Sequence, residues 1–158
     1  MPVEYIPRTR ELYAPLPPYR WADNRGKPVP WTPLERPLAE CRVVLGSSAG
    51  IHRFDQKPFH FKDDTSIRLI PADTPAAALR VAHFGYPTED AERDPNCVFP
   101  IDRLRELAAD GVIGDLGPRA ISWMGGIYSQ RRVLRELAPA VLEAVRDQEA
   151  DLFYIVPA

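Results

Sequence analysis

Short apolar runs alternate along this chain with stretches of helical periodicity. Residues 42–46 form an almost unbroken apolar run, which predicts a strand buried on both faces at the centre of a sheet. Residues 66–70 alternate between polar and apolar positions, which is typical of an edge or one-sided strand. Further strands are predicted at 79–84, 119–124 and 152–156.

Two segments carry the spacing of helices. The first begins at Pro100 and ends at Gly111, and Ile101, Leu104, Leu107 and Ala108 form its inward stripe. The second covers 129–149, where Pro139 marks either a kink or the first turn of another helix. Because this helix joins two predicted strands, we expect parallel pairing and a right-handed crossover. The pattern indicates an α/β fold with a mostly parallel sheet and flanking helices, similar to half of a flavodoxin or Rossmann domain.

Proline divides the chain into two parts. Half of the 18 prolines lie between residues 2 and 37, interleaved with Tyr5, Tyr13, Tyr19, Trp21 and Trp31. Proline excludes long helices and central strands, while five large aromatic residues argue against a disordered leader. We therefore predict an extended arm over 1–37, its rings laid on the globular body or on a partner, and an α/β domain over 38–158.

Composition excludes several classes of function. A formal charge of −2 gives no general attraction to nucleic acid or to an anionic membrane surface. No apolar run approaches a membrane span of about 20 residues, and the start lacks the features of a signal peptide. We therefore expect a cytoplasmic protein. In that compartment Cys41 and Cys97 are predicted to be reduced packing residues, although spacing alone leaves a disulfide between them open.

Three loops are candidate sites: one at His52, one from His83 through Asn96, and one at Gly125-Gly126. The middle loop carries Asp90, Glu92 and Asp94, but no metal-ligand spacing accompanies them, so solvated or turn-capping acids are the favoured interpretation and no metal is predicted. A serine nucleophile, Ser47 or Ser48, with His52 or His83 as its base is the weaker alternative, because the flanking glycines do not form Gly-x-Ser-x-Gly. These residues alone give no complete catalytic set.

Several motifs nevertheless occur together in a recognisable order. They are Ala49-Gly50-Ile51-His52, Ile70-Pro71-Ala72-Asp73, Val81-Ala82-His83-Phe84-Gly85-Tyr86, the stretch Asp94-Pro95-Asn96-Cys97-Val98-Phe99-Pro100 with the residues up to Leu107, and Met124-Gly125-Gly126. From about Arg36 to Ala158 the chain resembles the selenoprotein B family of glycine, sarcosine, betaine and D-proline reductases. Within that family it is most similar to selenocysteine-containing subunits of the D-proline reductase type.

The resemblance implies reductive cleavage of a C–N bond in an amino-acid-like substrate. In such enzymes a selenolate or thiolate attacks the substrate carbon, and a resolving thiol then forms a mixed bridge. A dithiol or thioredoxin-type protein would supply the electrons, and a partner subunit would carry any pyruvoyl group, so no cofactor is expected on this chain. The implied substrate-side residues are His52, His83, Asp90, Asp94, Gly125 and Gly126.

The chain departs from the family pattern at one place. The family's selenocysteine or cysteine follows immediately after the strand that matches 152–158, and this chain stops at Ala158. We therefore expect a sequence ended at a selenocysteine codon, with the second half of the domain missing and this chain inactive alone. The alternative is a short binding or regulatory subunit that docks through its aromatic arm.

Overall fold

The computed structural model describes residues 7–8, 11, 26–29 and 31–158. The chain divides after Pro33 into two units, and the following description concerns the second, Leu34–Ala158. Most of the predicted arm, with Tyr5, Tyr13, Tyr19 and Trp21, lies outside the described residues. Its extended conformation and the domain boundary after residue 37 therefore stay predictions. Trp31, which is described, is 82% exposed.

The main sheet is built around its first strand. The strands are β1 (Arg42–Ser47), β2 (Ile51–Arg53), β3 (Arg68–Pro71), β4 (Leu79–Val81), β5 (Asp115–Leu116), β6 (Arg119–Ser122) and β7 (Leu152–Val156). Strand β1 pairs in parallel with β5, β6 and β7; β7 runs along one side of it, while β5 and β6 share the other. Val43, Val44 and Leu45 are fully or almost fully buried, which confirms the central position predicted from the unbroken apolar run.

The outer strands confirm one prediction and correct another. Strand β3 lies at the sheet edge and pairs antiparallel with β6, which makes the sheet mostly rather than wholly parallel. The strand predicted at 79–84 is shorter and leaves the main sheet, because β4 pairs antiparallel with β2 in a separate two-stranded sheet. The predicted loop at His52 is therefore wrong: Gly50, at φ 69°, turns the chain, and 51–53 form a strand with Ile51 in the core.

Helices occupy the connections. They are α1 (Glu89–Arg93), α2 (Ile101–Ala109), α3 (Gln130–Arg132) and α4 (Ala138–Arg146), with 3₁₀ turns at Leu38–Glu40, Ala76–Ala78 and Pro95–Cys97. Helix α2 begins after Pro100, and Gly111 at φ 70° closes it, as predicted. Its inward stripe is shorter than predicted, because Leu107 is 38% exposed while Ile101 and Leu104 are buried.

A π-helical segment, Val133–Leu137, joins α3 to α4. Pro139 lies in the first turn of α4, which confirms one of the two interpretations of that proline. Proline provides no N–H for the carbonyl four residues earlier, and its ring crowds that carbonyl. A wider turn before it relieves the crowding, so the proline gives a physical reason for the π segment.

The core has two clusters, on opposite faces of the sheet. Val43 and Leu45 pack on one face with Phe99, Ile101 and other residues of α2 and the small sheet. Val44 packs on the other face with Ala144, Val141 and Val145 of α4. Alternation along β1 thus gives three layers. Because β6 and β7 both pair in parallel with β1, the carboxyl ends of the three strands lie at one edge of the sheet.

The cysteines differ in environment. Both are free thiols; Cys41 is fully buried, as predicted, whereas Cys97 is exposed on its 3₁₀ turn, so the prediction that it packs in the core is wrong. Cys97 follows Pro95 and Asn96 in a turn that is capped by Asp94, which holds it at the surface. None of the helices in the described part of the chain has the length and apolar character needed to cross a membrane.

Candidate functional site at the strand tips

Hydrogen bonds from the residues that follow β1 fasten its carboxyl end to those of β7 and β6, and Ser48 makes the bonds to β7. Its backbone N–H donates to Val156 O at 3.2 Å, and its hydroxyl accepts from the N–H of Ala158 at 2.9 Å. The same hydroxyl lies 3.2 Å from Ala158 O, to which it can donate. On the other side, the N–H of Trp123 donates to Ser47 O and the N–H of Gly50 to Trp123 O. Three strand ends are therefore held in fixed positions.

Gly125 lies where these strand ends meet. A methyl group at this position would lie 2.8 Å from Ala158 O, 3.0 Å from Ser48 O and 3.2 Å from His83 Nε2. The first two atoms belong to the backbone and cannot move aside cheaply. The absence of a side chain is what lets β7, the end of β1 and His83 approach the same point. We call Ser48, His83, Gly125 and Ala158 the strand-tip cluster.

His83 contributes a hydrogen-bond donor to this cluster. Its Nδ1 accepts the N–H of Gly85 at 2.9 Å, so the proton of the neutral ring lies on Nε2. Nε2 is buried and makes no hydrogen bond to any described residue, and the side chain is 9% exposed overall. Burial lowers the pKa of His83 below its ordinary value of 6.5, so the ring is neutral at neutral pH. A buried donor without a partner is uncommon in folded proteins and calls for an explanation.

Aromatic residues surround the histidine. The ring of Tyr86 lies 4.6 Å from that of His83, and its hydroxyl donates to Ala49 O at 3.0 Å. Burial, followed by the neighbouring Cys97 and Glu92, raises the pKa of Tyr86 to about 12, so the phenol remains protonated. Phe84 stacks on His83 at 5.9 Å. The imidazole is therefore held in one orientation.

His52 belongs to different surroundings. It lies on β2 opposite Arg80, and its ring meets Phe59 edge to face at 6.4 Å. Burial, with Arg68 and Arg80 contributing, lowers the pKa of His52. These contacts place His52 against two arginines and a phenylalanine rather than in the strand-tip cluster, and its assignment to the substrate side stays a prediction.

The acidic residues of the middle loop face solvent. Asp90 pairs with Arg93 at 3.0 Å on α1, and both side chains are highly exposed. Asp94 accepts the backbone N–H of Asn96 at 3.0 Å, and hydrogen bonds from Asn96 lower the pKa of its carboxyl. Within the described ranges, no group of three or more His, Cys, Asp or Glu is placed to hold a metal ion.

The described chain presents no activated nucleophile at the strand tips. Ser47 donates to Val98 O at 2.8 Å, and Ser48 is bonded to Ala158, so neither hydroxyl is bonded to a histidine. Partial burial, then Asp94 and Asp90, raise the pKa of the Cys97 thiol, which disfavours the thiolate. The alternative of a serine nucleophile with a histidine base is therefore not supported by the geometry.

Sequence reasoning grouped some of these residues and missed others. Of the predicted site residues, the structure brings together His83, Gly125 and the neighbouring Gly126, whereas His52, Asp90 and Asp94 lie in other contacts. Ser48 was considered only as a nucleophile and not as the group that holds the end of β7, and the rings of Phe84 and Tyr86 were not predicted as site groups. The sequence contained a signal for each of them, because Ser48 follows a predicted central strand, and Phe84 and Tyr86 lie one and three residues after His83.

Parallel strands that end around a buried polar side chain are typical of α/β proteins that bind small molecules at the carboxyl edge of the sheet. The profile of the glycine/sarcosine/betaine reductase selenoprotein B family matches residues 71–151. The D-proline reductase subunit gamma of Acetoanaerobium sticklandii is 35% identical over 141 residues, which are 89% of this chain and 54% of that subunit. The chain belongs to the selenoprotein B family of reductase subunits, as its motifs predicted.

Two other relatives are more distant. The glycine reductase complex component B subunit gamma of Symbiobacterium thermophilum is 29% identical over 70% of this chain and 28% of its own length. The sarcosine reductase complex component B subunit beta of Peptoclostridium acidaminophilum is 28% identical over 61% of this chain and 23% of its own length. The chain thus spans about half of the first relative and about a quarter of these two. No solved structure matches the chain significantly.

Proposed function

We propose that this chain forms the scaffold half of a reductase that cleaves the C–N bond of an amino-acid-like substrate, and that the strand tips are its reaction edge. The observation that carries the proposal is the strand-tip cluster, where Ala158 O and His83 Nε2 both approach Gly125. A selenol or thiol placed next after Ala158 would enter the sheet edge beside the unpartnered donor of His83. That chalcogen would supply the nucleophile and the redox partner.

The residues of this chain would position and polarise rather than react. Neutral His83 would donate from Nε2 to an anionic atom at the strand tips, which stabilises negative charge without adding a proton equilibrium near neutral pH. Ser48 would fix the end of β7, and Gly125 would keep the approach open. Tyr86, held to Ala49 O, would prevent the imidazole from turning.

Other components of the reaction would come from partner proteins. We propose that it binds no cofactor, that a partner subunit carries any pyruvoyl group, and that a dithiol or thioredoxin-type protein restores the reduced state. The names of the relatives support a multi-subunit setting, because two of them are components of reductase complexes. The proposed substrate is a small amino acid or an N-alkylated relative.

The DNA that follows the Ala158 codon tests the proposal. The expected finding is an in-frame TGA followed by coding sequence for a further α/β half. The longer product, together with its partner subunit, should then consume a dithiol in the presence of glycine, sarcosine, betaine or D-proline. The 158-residue chain should not do so, and its His83→Ala counterpart in the long form should lose rate while still folding. A different stop codon with no coding sequence after it would contradict the proposal.

A second candidate function is a binding or regulatory subunit without redox chemistry. One observation favours it: within the described residues, the only exposed cysteine, Cys97, has a raised thiol pKa and lies outside the strand-tip cluster. Isolation of a stable 17.8 kDa form with a partner subunit from the native source would support this function. Isolation of a longer species alone would reject it.

A further inference from the structure

The unpartnered nitrogen of His83 is covered by the segment that follows β6. His83 Nε2 is buried and makes no hydrogen bond to any described residue. A methyl group on Gly125 would lie 3.2 Å from Nε2, yet Gly125 itself is exposed, so the cover between this nitrogen and the solvent is thin. Any ligand that uses the donor of His83 therefore has to displace this cover.

The cover belongs to residues 125–129, which we call the tip loop. Both of its ends are fixed, because Met124 is fully buried and forms an isolated bridge with Ala49, while the side chain of Ser129 caps α3. Between these ends the chain forms neither helix nor strand, and the loop begins with two consecutive glycines. Glycine can change its backbone angles more freely than other residues, so Gly125-Gly126 is suited to act as a hinge.

One carboxylate holds the tip loop to the segment that precedes β3. Within the described residues, the backbone N–H groups of Tyr128 and Ser129 both donate to Asp63 Oδ1, at 2.7 and 3.2 Å. Asp63 is held in turn by Arg132, which donates to Asp63 O at 2.6 Å. The φ of Asp63 is 47°, in the left-handed region that aspartate tolerates better than most residues. The Asp63 carboxylate is therefore positioned as a latch.

Side-chain packing contributes little to the closure of the tip loop. Tyr128 is 84% exposed, and its ring lies 6.5 Å from that of Phe84. Phe84 is itself 41% exposed; it stacks on His83 at 5.9 Å, and a methyl group on Gly126 would lie 2.5 Å from its Cζ. The loop thus rests on a partly exposed ring rather than in the core. Segments with few buried apolar contacts open at a lower free-energy cost than the whole domain.

We propose that the tip loop is a lid, which opens on the Gly125-Gly126 hinge, is latched shut by Asp63 and thereby gates access to His83 Nε2. This inference rests on the proposed function for the use of the exposed donor, whereas the opening itself is a property of this chain. Closure over a bound molecule would exclude water, which strengthens the electrostatic contact with Nε2.

Labelling of the 158-residue chain with diethylpyrocarbonate, which modifies neutral imidazole, measures the opening. Trypsin places the two buried histidines in different peptides, so mass spectrometry follows His52 in 43–53 and His83 in 81–93. Opening of a lid exposes little surface, so the labelling rate of His83 should be almost independent of urea at low concentrations. A urea dependence as steep as that of global unfolding would overturn the inference.

Removing the latch should increase the opening. Asp63→Gly deletes the carboxylate and tolerates the left-handed backbone at this position. It should raise the labelling rate of His83 by at least about fivefold relative to N-acetylhistidine in the same sample, because the closed state loses two hydrogen bonds to a charged group. Amide exchange of Tyr128 and Ser129 should accelerate by a similar factor. Asp63→Asn retains an acceptor oxygen and should stay within about twofold of the wild type.

A nearby carboxylate provides the matched control. Asp55 is also exposed but pairs with Arg53 at 2.6 Å rather than with the tip loop, so Asp55→Gly should change the labelling of His83 by less than about twofold. His52 reports loosening of the domain as a whole. Unchanged labelling of His83 in Asp63→Gly, or equal increases at His52 and His83, would show that Asp63 does not latch a lid.

The labelling experiment requires no reductase activity, so the two proposals can fail separately. An opening with the expected pattern, but no reductase activity in any longer product, would keep the lid and remove the reductase assignment. Reductase activity in a longer product, with a His83 that is labelled only on global unfolding, would keep the assignment and remove the lid.

Discussion

Two histidines of this protein are buried to a similar degree but have different neighbours. His52 is 5% exposed and His83 is 9% exposed, each has one ring nitrogen without a hydrogen bond in the described structure, and burial lowers the pKa of both. His52 faces Arg68 and Arg80 from a strand, whereas His83 lies among glycines and aromatic rings at the strand tips. Burial alone therefore does not identify a site; the groups around the unpartnered nitrogen do.

The largest expected effect comes from closing the gap beside His83. Gly125→Ala would bring a methyl group against two backbone carbonyls, and we expect it to lower the free energy of unfolding by about 1–3 kcal/mol in urea titrations. Gly126→Ala is the matched control, because its methyl group meets only the partly exposed ring of Phe84, which can swing away. It should cost less than about 1 kcal/mol. A loss in Gly125→Ala as small as that expected for Gly126→Ala would show that the strand tips are not rigid.

The next largest effect on stability concerns Tyr86, which packs against His83. Tyr86→Phe removes the hydroxyl that donates to Ala49 O and leaves that carbonyl without this partner, so we expect a loss of about 1–2 kcal/mol in the free energy of unfolding. Tyr128→Phe should change stability by no more than about 0.5 kcal/mol, because that side chain is exposed. An unchanged stability in Tyr86→Phe would mean that the hydroxyl does not hold the imidazole in place.

A smaller effect is expected around His52. Arg68 lies 4.2 Å over the ring of Phe59, so Arg68→Met should cost about 0.5–1 kcal/mol of stability. Removing this cation should also raise the pKa of His52 and leave the pKa of His83 unaffected, because Arg68 contributes to lowering only the former. NMR titration of both imidazoles in one sample measures the two together. Parallel shifts would contradict the separation of the two regions.

The smallest expected effect is a change in the free energy of unfolding with pH. Both histidines have a folded pKa below 6.5, so the unfolded chain binds more protons than the folded chain as the pH falls below that value. Their contribution to stability is complete above about pH 6.5 and decreases toward the lowered folded pKa values. Unfolding at about pH 7.5 and about pH 5.5 should show a drop in the wild type that is reduced in His52→Gln and in His83→Gln. A drop that survives in the double variant would have another origin.

Local patterns in the sequence predicted the elements that depend on local physics. The apolar run at 42–46 predicted a central strand, because a strand that is buried on both faces needs consecutive apolar residues. Pro100 and Gly111 predicted both ends of α2, because the backbone geometry at a helix end depends on the residues at that end. The family was predicted from motif order. The exposure of Cys97 was not predicted, because a 3₁₀ turn capped by Asp94 decides it, whereas the prediction rested on the usual burial of reduced cysteines.

The candidate site was predictable only in part, since it is made by residues far apart in the chain. Gly125 appeared as a loop glycine, but its closeness to Ala158 and Ser48 depends on β7 joining β1. His52 was grouped with His83 because both were assigned to candidate loops and belong to motifs of the resembled family. The strand pairing of β2 with β4 instead directs His52 toward Phe59 and the arginines.

The long sequence separation between β1 and its partners affects the rate of folding. It is synthesised early, yet its partners come much later: the N–H of Arg42 reaches Asp151, 109 residues away, and Ser48 reaches Ala158 across 110. Topologies dominated by such long-range pairs fold slowly, on a scale of about milliseconds to seconds rather than microseconds. On the ribosome, β1, which is buried along almost its whole length, lacks its β7 partner until residues 152–156 emerge, so chaperone engagement during translation should be strongest for nascent chains that lack β7.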